Sequence, residues 1–221
     1  LLVGAELGIP VHVVHGVQDG PVLGLISGIH GAEHFSVRIL RRVLLELDCR
    51  QLAGTVVAIP VANPVAFARG KYSTPEEDID FGDMNRIFPG SRAKAVFGGG
   101  ASQPSDRSLT EWMAATIAEY VLPRVQILID YHCGFSGFSI VESIARPGNT
   151  EGKTQISFDV CRHANLGVIV QSGAQRPISA TGYAASLGAV TVGFEIGGGG
   201  LSGAAQRKAL EIGAAATRNA M

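Results

Sequence analysis

The sequence predicts an α/β fold in which helices cover both faces of a mixed, largely parallel β-sheet. Short β-branched runs that are typical of buried strands alternate with segments whose apolar residues recur at helical spacing. Strands that alternate with helices favour a parallel sheet. Nearly half of the 221 residues are apolar (46%), which is enough to fill one substantial core. We therefore expect one domain over residues 1–221.

The individual elements follow from local patterns. Five β-branched runs predict buried strands at residues 21–29, 54–62, 125–132, 166–171 and 189–196. The segment "HFSVRILRRVLLELD" at 34–48 has one apolar and one charged face, which indicates a helix. A second helix begins at Ser108, where "SLTE" has the capping-box pattern, and an Ala-rich third begins near Ser202. Glycine clusters at 97–106 and 197–200 predict loops.

Charge and cysteine content exclude several classes of protein. The chain has 18 basic and 19 acidic residues, so it lacks the positive surface that nucleic acid or an anionic membrane would require. Its apolar runs are shorter than the roughly 18–20 residues of a membrane-spanning helix. Cys49, Cys133 and Cys161 fit neither a disulfide framework nor a CxxC site. We expect a cytoplasmic protein, and the sequence leaves a homo-oligomer open.

Three chemically reactive residues lie at the carboxyl ends of predicted strands. In open α/β sheets ligands bind beyond the carboxyl ends of strands, where His30, His132 and Glu195 fall. A catalytic zinc site takes three protein ligands from His and Glu, and His30, Glu33 and His132 satisfy that count. Glu195 can take a proton from water and return it to a leaving amine. Taken alone, His-x-x-Glu is better explained by a loop histidine hydrogen-bonded to backbone, and it is the joint occurrence with His132 and Glu195 that favours a metal site.

The neighbours of these residues have weaker signals. Asp130 lies two residues before His132 on the same side of the strand, so its carboxylate can orient the imidazole by a hydrogen bond. Capping of a nearby loop explains Asp130 equally well. His34 is adjacent to Glu33, and because adjacent side chains diverge we expect it to begin a helix. For Cys133 we expect a small buried thiol.

A polar cluster in "DMNRIFPG", residues 83–90, indicates an anion-binding site. The segment has too few apolar positions for a core strand, and it contains Asn85 and Arg86. A guanidinium group binds a carboxylate through two parallel hydrogen bonds, and an adjacent amide can add another. The alternative is an ion pair of Arg86 with Asp80 or Asp83 in a solvated loop.

Five sequence blocks together carry a resemblance to a known family. "GIHGAEH", "NPVAFARG", "DMNRIFPG", "DYHCG" and "FEIGGGG" occur in the order seen in the succinylglutamate desuccinylase/aspartoacylase family, relatives of the zinc carboxypeptidases. The resemblance extends from about residue 28 to 200. It implies a zinc carboxypeptidase-like fold and a zinc-dependent deacylase that hydrolyses the linear amide of a small N-acyl amino acid or a related carboxylate-bearing compound.

The resemblance also implies a role for each polar residue. One zinc ion per chain is bound by two histidines and a glutamate: His30, Glu33 and His132. Glu195 acts as general base and then as general acid. Asn85 and Arg86 bind a carboxylate of the substrate.

The chain departs from the family pattern in two places. Family members usually have an arginine between the Asn-Pro and Asn-Arg blocks that polarises the scissile carbonyl. Here "FARGKYSTP" offers Arg69 and Lys71 for substrate binding, with Tyr72 nearby, and gives no unambiguous choice; a lysine would lack the fork of arginine. Family members also carry a β-rich C-terminal domain, whose strands we do not find in this chain.

Two other functions remain open at this point. A zinc carboxypeptidase acting on peptides or cell-wall peptides uses the same metal chemistry, and an open cleft would favour it. A non-catalytic relative would bind zinc without turnover. Two imidazoles and one carboxylate also suit iron or cobalt, and the sequence does not determine which acyl group or amino acid is recognised.

Overall fold

The predicted α/β fold is confirmed. The computed structural model describes residues 6–75, 82–90, 107–135, 140–171 and 176–221, and within these ranges lie seven strands and six α-helices. The strands are β1 (His12–His15), β2 (Gln18–Ser27), β3 (Ala53–Ile59), β4 (Ile127–Gly134), β5 (Ile140–Pro147), β6 (Val168–Ile169) and β7 (Val190–Gly198). The helices are α1 (His34–Glu46), α2 (Pro64–Arg69), α3 (Leu109–Tyr120), α4 (Thr154–Ala164), α5 (Ala180–Ser186) and α6 (Gly203–Ala220).

The sheet is mixed, with a parallel centre. Its strand order is β1-β3-β2-β4-β7-β5-β6. The four central strands, β3, β2, β4 and β7, are parallel. β1 runs antiparallel to β3, and β5 runs antiparallel to β7. Because β2, β4 and β7 are parallel neighbours, the residues that follow their carboxyl ends meet at one edge of the sheet.

Apolar cores cover both faces of the sheet, and strand alternation sorts residues between them. Ile129 and Tyr131 of β4 pack in one core with Ile39 of α1, while Leu128 packs in the other core with Ile117 of α3. Successive side chains of a strand point to opposite faces. The even-numbered residues of β4, which include Asp130 and His132, therefore share the face covered by α3 and α5.

The helices begin where their sequence patterns place them. α1 starts at His34. α3 has the predicted capping box, in which Ser108 Oγ accepts the N–H of Glu111 and the Ser108 N–H donates to Glu111 Oε2. α6 follows Ser202, whose hydroxyl accepts the N–H of Ala205. No helix within the described ranges is both long and apolar enough to cross a membrane.

Several strand boundaries differ from prediction. β1 and β5 were not predicted, and the run at 166–171 forms only the two-residue strand β6. The loop predicted at 197–200 is wrong at its start, because β7 continues through Gly198, which aligns with Gly134 of β4. The loop predicted at 97–106 lies outside the described residues.

Candidate metal centre and active site

The turn after β2 brings the first two polar residues into the molecule. Gly28 takes a left-handed conformation with φ of 63°, which glycine adopts without steric cost. Its carbonyl accepts the N–H of Asn63 at 2.9 Å, so the turn is attached to the start of α2. His30 and Glu33 follow, and only 4% and 5% of their surfaces are exposed.

Gly31 allows the turn to pack directly on α2. A Cβ atom at this position would lie 2.1 Å from the carbonyl carbon of Ala66 and 2.2 Å from the nitrogen of Phe67. Both are backbone atoms, which cannot rotate away as a flexible side chain could. The Gly31 N–H also donates to the carbonyl of Tyr72 at 3.2 Å. The glycine therefore fixes the distance between the His30 turn and the segment after α2.

Gly31→Ala tests this close approach. Because the added methyl group overlaps backbone, we expect the free energy of unfolding to fall by about 1–3 kcal/mol or more, measured by urea denaturation. Gly199→Ala is the matched control, since a Cβ there has no atom within 4 Å and should leave the unfolding midpoint unchanged. Equal midpoints for the two variants would contradict the assigned packing.

The structure brings His30, Glu33 and His132 together. One ligand atom from each lies within 4.8 Å of the other two, as a metal ion requires. Both imidazoles point Nδ1 at the Glu33 carboxylate, at 2.8 Å from His30 and 3.0 Å from His132. Their Nε2 atoms face outward, to Asp83 Oδ1 at 3.2 Å and to Asp130 Oδ2 at 3.0 Å. Metal-binding histidines are commonly held by such outer carboxylates, so these residues fit a metal ion.

The charges on and around His30, Glu33 and His132 also favour a bound cation. Burial raises the pKa of Glu33, but the two imidazoles outweigh burial and lower it to about 2. Burial lowers the pKa of His132, yet Asp130 and Glu33 raise it well above its usual value. Asp130 is buried, and its Oδ1 has no hydrogen-bond partner among the residues that the structure describes. A metal ion would displace the imidazole protons and balance these carboxylates.

Glu195 lies beside this group on the neighbouring strand. Its Cα pairs with that of His132 across β4 and β7, and both side chains point to the same face of the sheet. Arg146 Nε of β5 approaches its Oε1 at 3.5 Å. Burial raises the pKa of Glu195, as do Glu33 and Asp130, against the opposing effects of His132 and Arg146. A carboxyl group with a raised pKa can accept a proton and release it again.

Asp83 holds the Asn85–Arg86 turn next to the cluster of His30, Glu33 and His132 (the metal group). Asp83 Oδ1 accepts the Asn85 N–H at 2.9 Å, and Asn85 Oδ1 accepts the N–H of Ala180 at 2.9 Å, which links the turn to α5. Arg86 Nη1 donates to the Asn85 carbonyl at 2.9 Å and lies 3.8 Å from Asp83 Oδ2. The side chain of Arg86 is 35% exposed, so its guanidinium is accessible to a ligand.

The three candidates in the 69–72 segment are placed differently. Arg69 ends α2 and Lys71 follows it, and both side chains are exposed. The Tyr72 ring is half-buried and stacks on the His30 imidazole, with 3.9 Å between ring centroids and 15° between planes. Substrate binding by Arg69 or Lys71 stays a prediction.

Two residues near the site were not anticipated in these roles. Asp83 was considered only as an ion-pair partner of Arg86, and its bond to His30 spans 53 positions of sequence. Arg146 belongs to β5, a strand without a clear sequence signal. By contrast, Cys133 is buried as predicted, and burial raises the pKa of its thiol to about 12. The backbone N–H of Cys133 donates to Glu33 Oε2 at 3.2 Å.

Known proteins are similar to this chain in sequence and fold. Residues 19–221 match the model of the succinylglutamate desuccinylase/aspartoacylase catalytic domain. An N-alpha-acetyl-L-2,4-diaminobutyric acid deacetylase of Halomonas elongata is 29% identical over 133 residues, which are 60% of this chain and 34% of that protein. The chain thus covers about a third of this curated relative.

Two solved structures illustrate the shared fold. A succinylglutamate desuccinylase from Silicibacter sp. TM1040 has a TM-score of 0.75 and 23% identity, covering 96% of this chain and 59% of that one. The product-bound ectoine utilization protein EutE (DoeB) from Ruegeria pomeroyi has a TM-score of 0.74 and 24% identity, covering 96% and 59%. Because the catalytic-domain model matches nearly the whole sequence, the chain belongs to the succinylglutamate desuccinylase/aspartoacylase family.

Proposed function

We propose that the protein is a zinc-dependent amidohydrolase that removes the acyl group from a small N-acyl amino acid or a related carboxylate-bearing amide. The observation that carries this proposal is the convergence of His30, Glu33 and His132 next to the carboxyl group of Glu195. The family and its deacetylase member support a carbon–nitrogen bond in a linear amide as the target. We also propose a cytoplasmic location, from the absence of a disulfide framework.

The residues of the site divide the reaction between them. When bound, zinc supplies Lewis acidity that polarises the scissile carbonyl and increases the acidity of water. Glu195 takes a proton from the attacking water and delivers it to the leaving nitrogen. Asp83 and Asp130 hold the two imidazoles with Nδ1 towards Glu33.

Arg86 provides the means to recognise a carboxylate. Its guanidinium is partly exposed next to the metal group and can form two parallel hydrogen bonds with a substrate carboxylate. Asn85 uses its amide oxygen to bind α5, so the amide nitrogen is the end that can donate to a ligand. A small substrate with a free carboxylate next to its amide fits these groups.

A substrate panel tests the proposal. Zinc-supplemented protein is incubated with N-acetyl and N-succinyl amino acids, including N-alpha-acetyl-L-2,4-diaminobutyric acid, with their carboxamides and with unacylated tripeptides, and released amines are quantified by mass spectrometry. We expect release from N-acyl amino acids and much slower release from the carboxamides. Release from peptides alone would indicate a carboxypeptidase. A zinc-loaded protein that releases nothing would be a binding relative.

Removal of the metal gives a separate prediction. Dialysis against dipicolinate should remove about one zinc per chain and essentially all turnover, because three protein ligands leave a fourth position for the reaction. Added zinc should restore turnover in proportion to the metal bound, with cobalt as a second restoring ion. The measurement is elemental analysis in parallel with activity, and full turnover by the zinc-free protein would refute a metal mechanism.

A further inference from the structure

Tyr72 is the polar residue of the 69–72 segment that contacts the metal group. Its ring stacks on His30, whereas Arg69 and Lys71 have exposed side chains. Phe135 approaches the same ring, with 5.0 Å between centroids and 44° between planes. The aromatic ring thus contacts two other rings.

The backbone of this segment is also fixed. The Tyr72 carbonyl accepts the N–H of Gly31, which lies next to His30. Two residues later the hydroxyl of Thr74 accepts from Asn63 Nδ2 at 3.0 Å, and the buried Asn63 also caps α2. Anchors at Tyr72 itself and two residues later restrict the backbone that carries the phenol, and a preorganised donor needs no rearrangement when charge develops nearby.

The electrostatic surroundings of the phenol are those of the reaction centre. Tyr72 is half-buried against His30, and the charges of Asp83, Glu33, His132 and Arg86 act on its phenol through space. These residues belong to the metal group and to the carboxylate-binding turn. A substrate that spans these two sites would bring its amide group near Tyr72.

We propose that Tyr72 is a catalytic residue that donates its phenolic O–H to the carbonyl oxygen of the scissile amide. This role rests on the proposed function. When water oxygen bonds to the carbonyl carbon, the π electron pair moves to the carbonyl oxygen, which then accepts a stronger hydrogen bond. Tyr72 keeps its proton throughout. Glu195 carries the proton from water to nitrogen as the carbon–nitrogen bond breaks.

This assignment differs from the arginine that the family usually has in this part of the chain. A phenol is a single neutral donor, whereas a guanidinium is a charged fork. Removing one donor to a developing oxyanion typically lowers kcat by about 10²–10³-fold. The hydroxyl group should matter in the transition state more than in substrate binding, because the negative charge is present only there.

Tyr72→Phe isolates the hydroxyl, since phenylalanine keeps the ring that stacks on His30. The substrate is the N-acyl amino acid hydrolysed fastest in the panel. The second probe is the phosphonamidate analogue of that substrate, in which tetrahedral phosphorus replaces the carbonyl carbon. We expect the variant to keep its zinc content and its KM, and to have a kcat lower by about 10²–10³-fold. Calorimetry should show weaker binding of the phosphonamidate and unchanged affinity for the amino acid product. Tyr120→Phe, at an exposed tyrosine of α3, is the control and should behave as wild type.

The outcomes separate this inference from the function it depends on. Wild-type kcat in a zinc-loaded Tyr72→Phe variant overturns the role of Tyr72 and leaves the hydrolase intact. A rise in KM without a fall in kcat, or a loss of zinc, also overturns it, because the hydroxyl would then act in ground-state binding or in metal retention. Wild-type protein without hydrolysis of any N-acyl amino acid instead refutes the proposed function.

Discussion

Replacement of Glu195 by glutamine should leave the protein able to bind about one zinc ion per chain but should remove nearly all of its turnover. Glutamine has nearly the shape of glutamate, and the residue is not one of the three clustered ligand candidates. It cannot accept a proton from water, and general acid–base catalysis typically contributes about 10²–10⁴-fold. We therefore expect kcat to fall by about that factor, measured in steady state beside elemental analysis.

Glu142→Gln provides the control for the glutamate substitution. Glu142 lies on β5, next to β7, and is exposed, so its loss of charge should leave kcat unchanged. Normal turnover by Glu195→Gln would exclude Glu195 as the proton carrier. Loss of zinc from that variant would instead assign the carboxylate to metal binding.

The position of Glu195 shows why much of the site could be predicted from sequence. Buried parallel strands are continuous apolar runs, so their ends are visible without a structure. His30, His132 and Glu195 each lie near the end of such a run, and parallel neighbours bring their ends to one edge. The rule does not say which strands are neighbours, and it is the observed pairing of β4 with β7 that sets Glu195 beside His132.

The strands that escaped prediction are those that lack this signature. β1 is a four-residue edge strand with exposed residues, and β5, "IVESIARP", mixes charged and apolar residues and ends in proline. Both pair antiparallel, so one face of each can stay polar. Arg146 belongs to β5, which explains why its approach to Glu195 was not foreseen.

Long-range side-chain contacts were the other missing component. Hydrogen bonding of Asp83 to His30 and the stacking of Tyr72 on the same ring join segments that no local periodicity connects. "DMNR" contains a carboxylate two residues before Asn85, but sequence spacing cannot distinguish an ion pair with Arg86 from a bond to a distant imidazole. Tertiary packing decides between them.

The second large effect is expected from His132→Ala. Its imidazole lies between two carboxylates, Glu33 at 3.0 Å and Asp130 at 3.0 Å. Truncation removes one of the three proposed metal ligands and also leaves two buried acidic groups without the imidazole between them. We expect zinc content near zero, no measurable turnover, and a free energy of unfolding lower by about 3–5 kcal/mol, the usual result of breaking a buried charged pair.

A second variant separates loss of the metal ligand from loss of the fold, because destabilisation of His132→Ala alone could remove the metal. Glu33→Gln keeps the shape of the third ligand but removes its charge, and it should also lose zinc while the chain stays folded by circular dichroism. His12→Ala, at an exposed histidine of β1, should retain zinc, turnover and the wild-type unfolding midpoint. If folded Glu33→Gln and His132→Ala both retained a full zinc ion, the metal would have to lie elsewhere, and the cluster of His30, Glu33 and His132 would be a buried hydrogen-bond network without a metal function.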